Sequence, residues 1–257
     1  MSFEFDYGAD VAEASGIKRV NPEVGGQFGR LKSVIHLGQI IQVYKGKPKP
    51  PTNRVVLNFE LIGNLVDPED DEYISGLHPE TGEPLNQSIA INLTKGDNAK
   101  LTEVMGALVS KKEMEAGTVG GWDDLIGRPV GLELKGSDDK DDSGKPKFVD
   151  IASITTAPAA LKAAMPPLKN AGVGHVRLSQ LTVAALDECN VYTDIQMGMM
   201  KSEEWKAGTH PAIALVEEIR KERPNYAKAK EKANTGAEEL TGNTPAPTEK
   251  VDSTEEF

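Results

Sequence analysis

GGQFGRLKSVIHLGQIIQVYKGKPKPPTNRVVLNFEL, residues 25–61, places two runs of strand periodicity around a basic, proline-rich centre. Leu31, Ser33, Ile35 and Leu37 alternate with Arg30, Lys32, Val34 and His36, the two-residue period of a strand with one buried face. Gly38 interrupts that run. A glycine inside a strand commonly marks a bulge or bend, so Gln39 to Tyr44 is predicted to continue on a re-aimed axis. Lys45 to Pro51 predicts a turn carrying Lys45, Lys47 and Lys49, because Pro48, Pro50 and Pro51 lack the amide donor a ladder needs. From Asn53 to Leu61 the pattern resumes, with Val55, Leu57, Phe59 and Leu61 on one face. A long, bent first strand of this kind belongs to a small barrel.

Beyond it, residues 63–84 hold the acidic run Asp67-Pro68-Glu69-Asp70-Asp71-Glu72 and Gly/Pro punctuation, which describe an exposed loop. Ile89, Ile91 and Leu93 alternate with Ser88, Ala90 and Asn92 as a third strand. Asp97 then suits a helix N-cap, and Leu101, Val104, Met105, Leu108 and Val109 recur at helical steps. Trp122 to Pro129 reads as a short turn of helix ended by Gly127. A fourth strand follows from Val130 to Lys135, with Val130, Leu132 and Leu134 inward, and a fifth from Phe148 to Ile154. The hydrophilic stretch 136–147 joins them as a hairpin loop. Three strands, a helix and two strands is the order of the five-stranded oligonucleotide/oligosaccharide-binding (OB) barrel. The predicted fold is therefore mainly β, an OB barrel with a helix between strands 3 and 4, followed by a C-terminal helical segment and a disordered acidic tail.

Composition shifts set the regional boundaries. Residues 1–16 are polar and acidic and read as a flexible arm, residues 17–157 as the barrel, residues 158–233 as the helical segment, and residues 234–257 as the tail. Within the helical segment Val176 to Leu186 is ambiguous. Pro211 to Arg223 predicts a helix, with Pro211 in its first turn, Ile213, Val216 and Ile219 on one stripe, and Pro224 as its stop. Cys189 is the single cysteine, so no internal disulfide can form, which points to a reducing compartment. No basic-then-apolar leader opens the chain and no apolar run approaches the ~20 residues that span a bilayer, so the expectation is a soluble, cytoplasmic protein without a membrane partner.

The formal net charge of −11 argues at first against a polyanionic partner, but the charge is uneven. Between Ile17 and Arg54 the charged residues are Lys18, Arg19, Arg30, Lys32, Lys45, Lys47, Lys49 and Arg54 against Glu23 alone. A phosphate-binding site combined with an acidic arm would give this asymmetry. In an OB barrel the loop between strands 1 and 2 flanks the binding face, and Lys45, Lys47 and Lys49 occupy it. Taken alone, such a run is equally well explained as a solvated edge loop. Arg30, Lys32 and Arg54, on the outward parity of the same strands, extend it into a stripe. Binding single strands also calls for aromatic platforms on which bases stack. Phe28, Tyr44 and Trp122 are the candidates; Trp122, beside Leu125 and Ile126, fits the core better, and Phe59 shares the core parity of Val55 and Leu57. Tyr44, at the mouth of the basic loop, is the preferred stacking residue.

Catalytic patterns are missing from the sequence. His36, His78, His175 and His210 are dispersed, none stands at a metal-ligand spacing from Cys189, and Gly25-Gly26…Gly29 precedes a strand where a nucleotide-binding loop would follow one. The carboxylates of Asp67 to Glu72 lack a partner base and the spacing of a calcium loop. Neither enzyme activity nor a cofactor or metal is expected.

The motifs Arg30…Leu37-Gly38, the basic hinge, Val55 to Leu61, Ser88-Ile89…Leu93-Thr94, Leu101…Val104-Met105 and Asp124 to Val130 resemble those of the OB-fold single-stranded DNA-binding proteins of tailed bacteriophages, over Gly25 to Pro158. Glu249 to Phe257, acidic and ending in an aromatic residue, is similar to the tails with which such proteins recruit replication and repair enzymes. The resemblance implies a non-catalytic protein that coats single-stranded DNA in phage replication or recombination in the host cytoplasm. Its DNA-binding residues would be Arg30, Lys32, Tyr44, Lys45, Lys47, Lys49 and Arg54, and its partner-binding tail would act through Asp252, Glu255, Glu256 and Phe257. Residues 159–233 exceed what a minimal member of that family needs. Two other readings stay open: a structural or adaptor phage protein whose barrel binds protein, and an RNA-binding OB module.

Overall fold

The alternation that opens at Gly25 is realised as one continuous strand, β1, Gly25–Ile40, of 16 residues. The computed structural model describes residues 20–62, 76–141, 143–163, 165–189 and 198–222. The arm 1–16, the acidic run Asp67 to Glu72 and the tail 234–257 all lie outside those residues. β2 (Val43–Tyr44) and β3 (Lys47–Pro48) make a separate two-stranded ladder. β4 (Thr52–Leu61), β5 (Asn86–Asn92), β6 (Pro129–Gly136) and β7 (Val149–Thr156) join β1 in a strongly curled, largely antiparallel sheet ordered β5-β4-β1-β6-β7. The helices are short: α1 (Lys100–Leu108), α2 (Lys111–Ala116), α3 (Ala159–Lys162), α4 (Val183–Glu188), α5 (Glu203–Lys206) and α6 (Ala212–Glu222). Among the described residues no helix is long and apolar enough to cross a membrane.

The predicted strands and the helix before the fourth of them are present, each within a few residues of its expected limits. Two readings need correction. Gly38, at φ +102°, bends β1 without ending it, but the strand stops at Ile40, and Val43–Tyr44 leaves to pair elsewhere. The stretch Lys45 to Pro51 is more than a turn, because Lys47–Pro48 runs antiparallel to Val43–Tyr44. Pro48 is tolerated there because the ladder is only two strands wide, so its missing donor has no neighbouring strand to serve.

The chain forms two compact units. The first draws on Met1–Lys32, Phe59–Ile89 and Thr102–Ala171. Its buried side chains include Leu31, Phe59, Leu61, Val130, Leu132 and Leu134, the inward parity read from the sequence, together with Leu125, Ile154, and Val104 and Leu108 of α1. β6 runs antiparallel to the start of β1, Gly25 opposite Leu134 and Arg30 opposite Pro129, and β7 returns along β6. Glu103 of α1 accepts the Ile154 N–H at 2.6 Å, tying the helix to β7. Gln87 of β5 donates its amide to the Val149 carbonyl of β7 at 3.1 Å. That side-chain bond spans the two end strands of the sheet.

The second unit comprises Ser33–Asn58, Ala90–Leu101 and Gly172–Phe257. Its core joins Ile35, Leu37 and Val56 to Val176, Leu181, Ala185, Leu186, Cys189, Met199, Ala212 and Val216. The ambiguous stretch resolves into β8 (Gly174–Val176), a single 3₁₀ turn at Leu178–Gln180, and α4, whose N-cap Thr182 accepts the Ala185 N–H. β8 lies parallel to β1, with Ser33 opposite Gly174 and Ile35 opposite Val176. Ser33 and Asn58, buried polar residues of the two central strands, are satisfied through Glu188: the Ser33 hydroxyl donates to its carboxylate at 2.6 Å, and the Asn58 amide donates to its carbonyl at 3.1 Å. Only glycine fits at position 38, since a Cβ there would stand 2.7 Å from that of Ser202.

Candidate nucleic-acid interface

The sequence-predicted site residues divide between the two units. Arg30 and Lys32 belong to the first; Tyr44, Lys45, Lys47, Lys49 and Arg54 belong to the second. Arg30 is half-buried, and its guanidinium donates to the carbonyls of Gly127, Met165 and Pro166. Those bonds pin residues 165 and 166 beside the bend before β6, which is structural work that the strand parity did not reveal. Lys32 reaches to within 3.5 Å of the Asn86 Oδ1. Arg54, half-buried on β4, reaches to the same distance, 3.5 Å, from the Asn92 Oδ1.

The remaining four residues come together on the β2–β3 hairpin. Lys45 and Gly46 form its turn with φ of +50° and +73°, and left-handed backbone at both central residues is what a two-residue type I′ turn requires. Antiparallel pairing places Tyr44 opposite Lys47, so their side chains share a face of the ribbon. The alternation of strand side chains brings Lys49, two residues beyond Lys47, to that face as well. The Lys49 N–H donates to the Gln42 carbonyl at 2.7 Å and prolongs the ladder by one step. Val43 and Pro48 occupy the opposite face.

Tyr44 is 58% exposed, although a large aromatic side chain is more often at least half-buried. The Lys49 ammonium stands 4.7 Å from its ring centroid and the Lys45 ammonium 5.4 Å. At an exposed site each such cation–π contact is worth about 0.5–1 kcal/mol, enough to bias the lysines toward the ring and too little to lock them there. The hairpin therefore presents an aromatic plane ringed by mobile positive charge, on a segment where every residue from Gln42 to Pro51 is exposed. Sequence reading grouped the three lysines in one loop with Tyr44 at its mouth; their common face depends on the β2–β3 register, which the prolines concealed.

The other aromatic candidates sit differently. Phe28 is half-buried against Ile62, Ala157 and Met165. Trp122 begins the 3₁₀ turn Trp122–Leu125 and is half-buried, whereas Leu125 of that turn is fully buried. The loop 137–148 between β6 and β7 carries a bridge between Lys140 and Pro146 and leaves Phe148 54% exposed. Among the described residues no group of three or more His, Cys, Asp or Glu side chains is placed to share a metal ion. Asp252, Glu255, Glu256 and Phe257 of the proposed tail lie outside the described residues. No family model, curated protein or solved structure matches this chain.

Proposed function

We propose that this chain is a single-stranded DNA-binding protein built on an OB-type barrel and resembling those of tailed bacteriophages. On this reading it coats DNA and recruits replication or recombination proteins through residues 234–257. The observation that carries the reading is the β2–β3 hairpin, where one exposed face combines Tyr44 with Lys45, Lys47 and Lys49. A base can stack on the ring, and stacking is indifferent to sequence because every base has a π face. As it does, the ammonium groups released from the ring are already beside the flanking phosphates. The sheet order supports the fold assignment. Counting β1, β4, β5, β6 and β7 as strands one to five, the order becomes 3-2-1-4-5, and an OB barrel brings strands 3 and 5 to its seam, where Gln87 meets Val149.

The test is fluorescence anisotropy of a labelled single strand of ~30 thymidines and of a matching duplex, titrated with salt. Expected is tight binding of the single strand, much weaker binding of the duplex, and a log–log salt slope of about −2 or steeper, the share of three neutralised phosphates. Tyr44→Ala should weaken binding by roughly fivefold to 150-fold, from the ~1–3 kcal/mol that base stacking contributes. Absence of binding at low salt, in the full chain and in a variant lacking residues 234–257, would leave the adaptor reading, and an oligoribonucleotide bound more tightly than DNA would favour the RNA-binding one.

A further inference from the structure

The second unit brings together two histidines that lie far apart in the sequence. His36 is on β1 and His175 on β8, whose parallel register sets Val34 opposite His175. Two residues beyond Val34, His36 occupies the same face of β1, and the imidazoles meet diagonally, Nε2 to Nε2 at 3.2 Å. The ring centroids are 5.4 Å apart with planes inclined at 39°. Both side chains are half-buried, so the pair is fixed by its strands yet reachable from solvent.

We infer that His36 and His175 form a binding site for a divalent late-transition-metal ion such as Zn²⁺ or Cu²⁺. The geometry carries this assignment. An ion held at about 2.0–2.1 Å from each nitrogen separates the two nitrogens by roughly 3.4 Å at a tetrahedral angle and by roughly 2.9 Å at a right angle. The observed spacing lies between these values and is that of an imidazole–imidazole hydrogen bond, which an ion would displace as the two rings turn until both Nε2 lone pairs face it. Among the described residues these two imidazoles are the protein ligands brought together, and solvent would complete the shell. The guanidinium of Arg177 opposes a cation, so the affinity should be modest, in the micromolar range. Imidazole suits Cu²⁺, Zn²⁺ and Ni²⁺ and not Mg²⁺ or Ca²⁺, and affinity should follow the usual order with Cu²⁺ above Zn²⁺. Because the ligands sit on strands 139 positions apart, the ion would clip β8 to β1 and stabilise the second unit.

The experiment is a thermal melt of the full chain at pH 7.5 with ZnCl₂, CuCl₂ or MgCl₂, accompanied by Cu²⁺ paramagnetic resonance at one equivalent. A hundredfold excess over the dissociation constant should raise Tm by about 5 °C for Zn²⁺ and leave it unmoved for Mg²⁺. The Cu²⁺ spectrum should show hyperfine splitting from two nitrogen ligands, a reading on the unsubstituted protein that needs no variant to fold. His36→Gln and His175→Gln should each abolish the Zn²⁺ shift and remove a nitrogen from the copper spectrum. A shift that persists in the double variant would place the ion on carboxylates elsewhere and overturn the proposal. An unsubstituted protein with neither a Zn²⁺ shift nor nitrogen-coordinated copper would do the same.

Discussion

Glu60 shows how much of this fold rests on single polar groups. It lies on β4 with no exposed surface, and its carboxylate accepts the backbone N–H of Lys169 at 2.6 Å and that of Asn170 at 3.0 Å. A buried carboxylate is retained only where hydrogen bonds replace its lost hydration, and here two amides do so. Glu60→Ala would leave the two N–H groups without their acceptor; because Lys169 and Asn170 are themselves exposed, water can replace part of it, and the expected loss is about 1–2 kcal/mol in urea denaturation. Glu60→Gln keeps one acceptor oxygen and should cost roughly half as much; a loss below ~0.5 kcal/mol in both variants would show that the loop is held by other contacts. The sequence made Val55, Leu57, Phe59 and Leu61 legible as the buried face of β4, since alternation is local information. Val56, Asn58 and Glu60, the other face, are buried too, because residues beyond 165 cover them. Nothing within a strand's own period reports a cover that arrives more than a hundred residues later.

The β2–β3 hairpin is an element whose geometry and chemistry can be separated. Its turn places Lys45 at φ +50°, a conformation that asparagine adopts more readily than lysine, while Gly46 already matches the second position. Lys45→Asn should therefore firm the turn while removing one charge. Expected is an unchanged Tm, because the hairpin contributes no residue to the buried core, together with weaker binding of single strands and a salt slope shallower by about 0.7. If affinity fell with no change in slope, Lys45 would be positioning the ring and neutralising no phosphate. Sequence reading located this element by its lysines and prolines yet took Lys45 to Pro51 as a turn and Val43–Tyr44 as a continuation of β1. The usual hairpin signal is Asn-Gly or Asp-Gly, and Lys-Gly between a valine-tyrosine and a lysine-proline pair carries the same geometry without the flag. The contacts of Arg30 were hidden for a related reason: parity places a side chain on a face and is silent about carbonyls from Gly127, Met165 and Pro166 that converge there.

For the whole molecule, acid and salt act through different groups. His210 is 2% exposed; its Nε2 lies 3.1 Å from the Leu37 carbonyl, its Nδ1 accepts the Ala212 N–H, and burial lowers its pKa more than that carbonyl and Glu204 raise it. His36 is lowered as well, by burial first and then by His175 and Arg177. A base whose folded pKa is depressed binds its proton more readily in the unfolded chain, so stability is full above the unfolded value near 6.5 and is lost as pH falls from there toward the folded value. Denaturation midpoints should decline as pH falls below about 6.5, with a slope of up to about 1.4 kcal/mol per pH unit for each of the two protons, and His210→Gln should flatten the profile if it folds. Salt reports on the other distribution. Residues 234–257 add Glu238, Glu239, Glu249, Asp252, Glu255 and Glu256 against Lys250, and the exposed cations they can meet include Lys45, Lys47 and Lys49. A tethered polyanion competes with DNA for such cations at a high effective concentration. Deleting residues 234–257 should then tighten binding of thymidine strands by about threefold to tenfold at ~20 mM salt, and the gain should fade near ~300 mM, where the Debye length shrinks below ~6 Å. Equal affinity and equal salt slope with and without those residues would mean that the acidic stretch and the hairpin act independently, and recruitment of partners would then need no release from the hairpin.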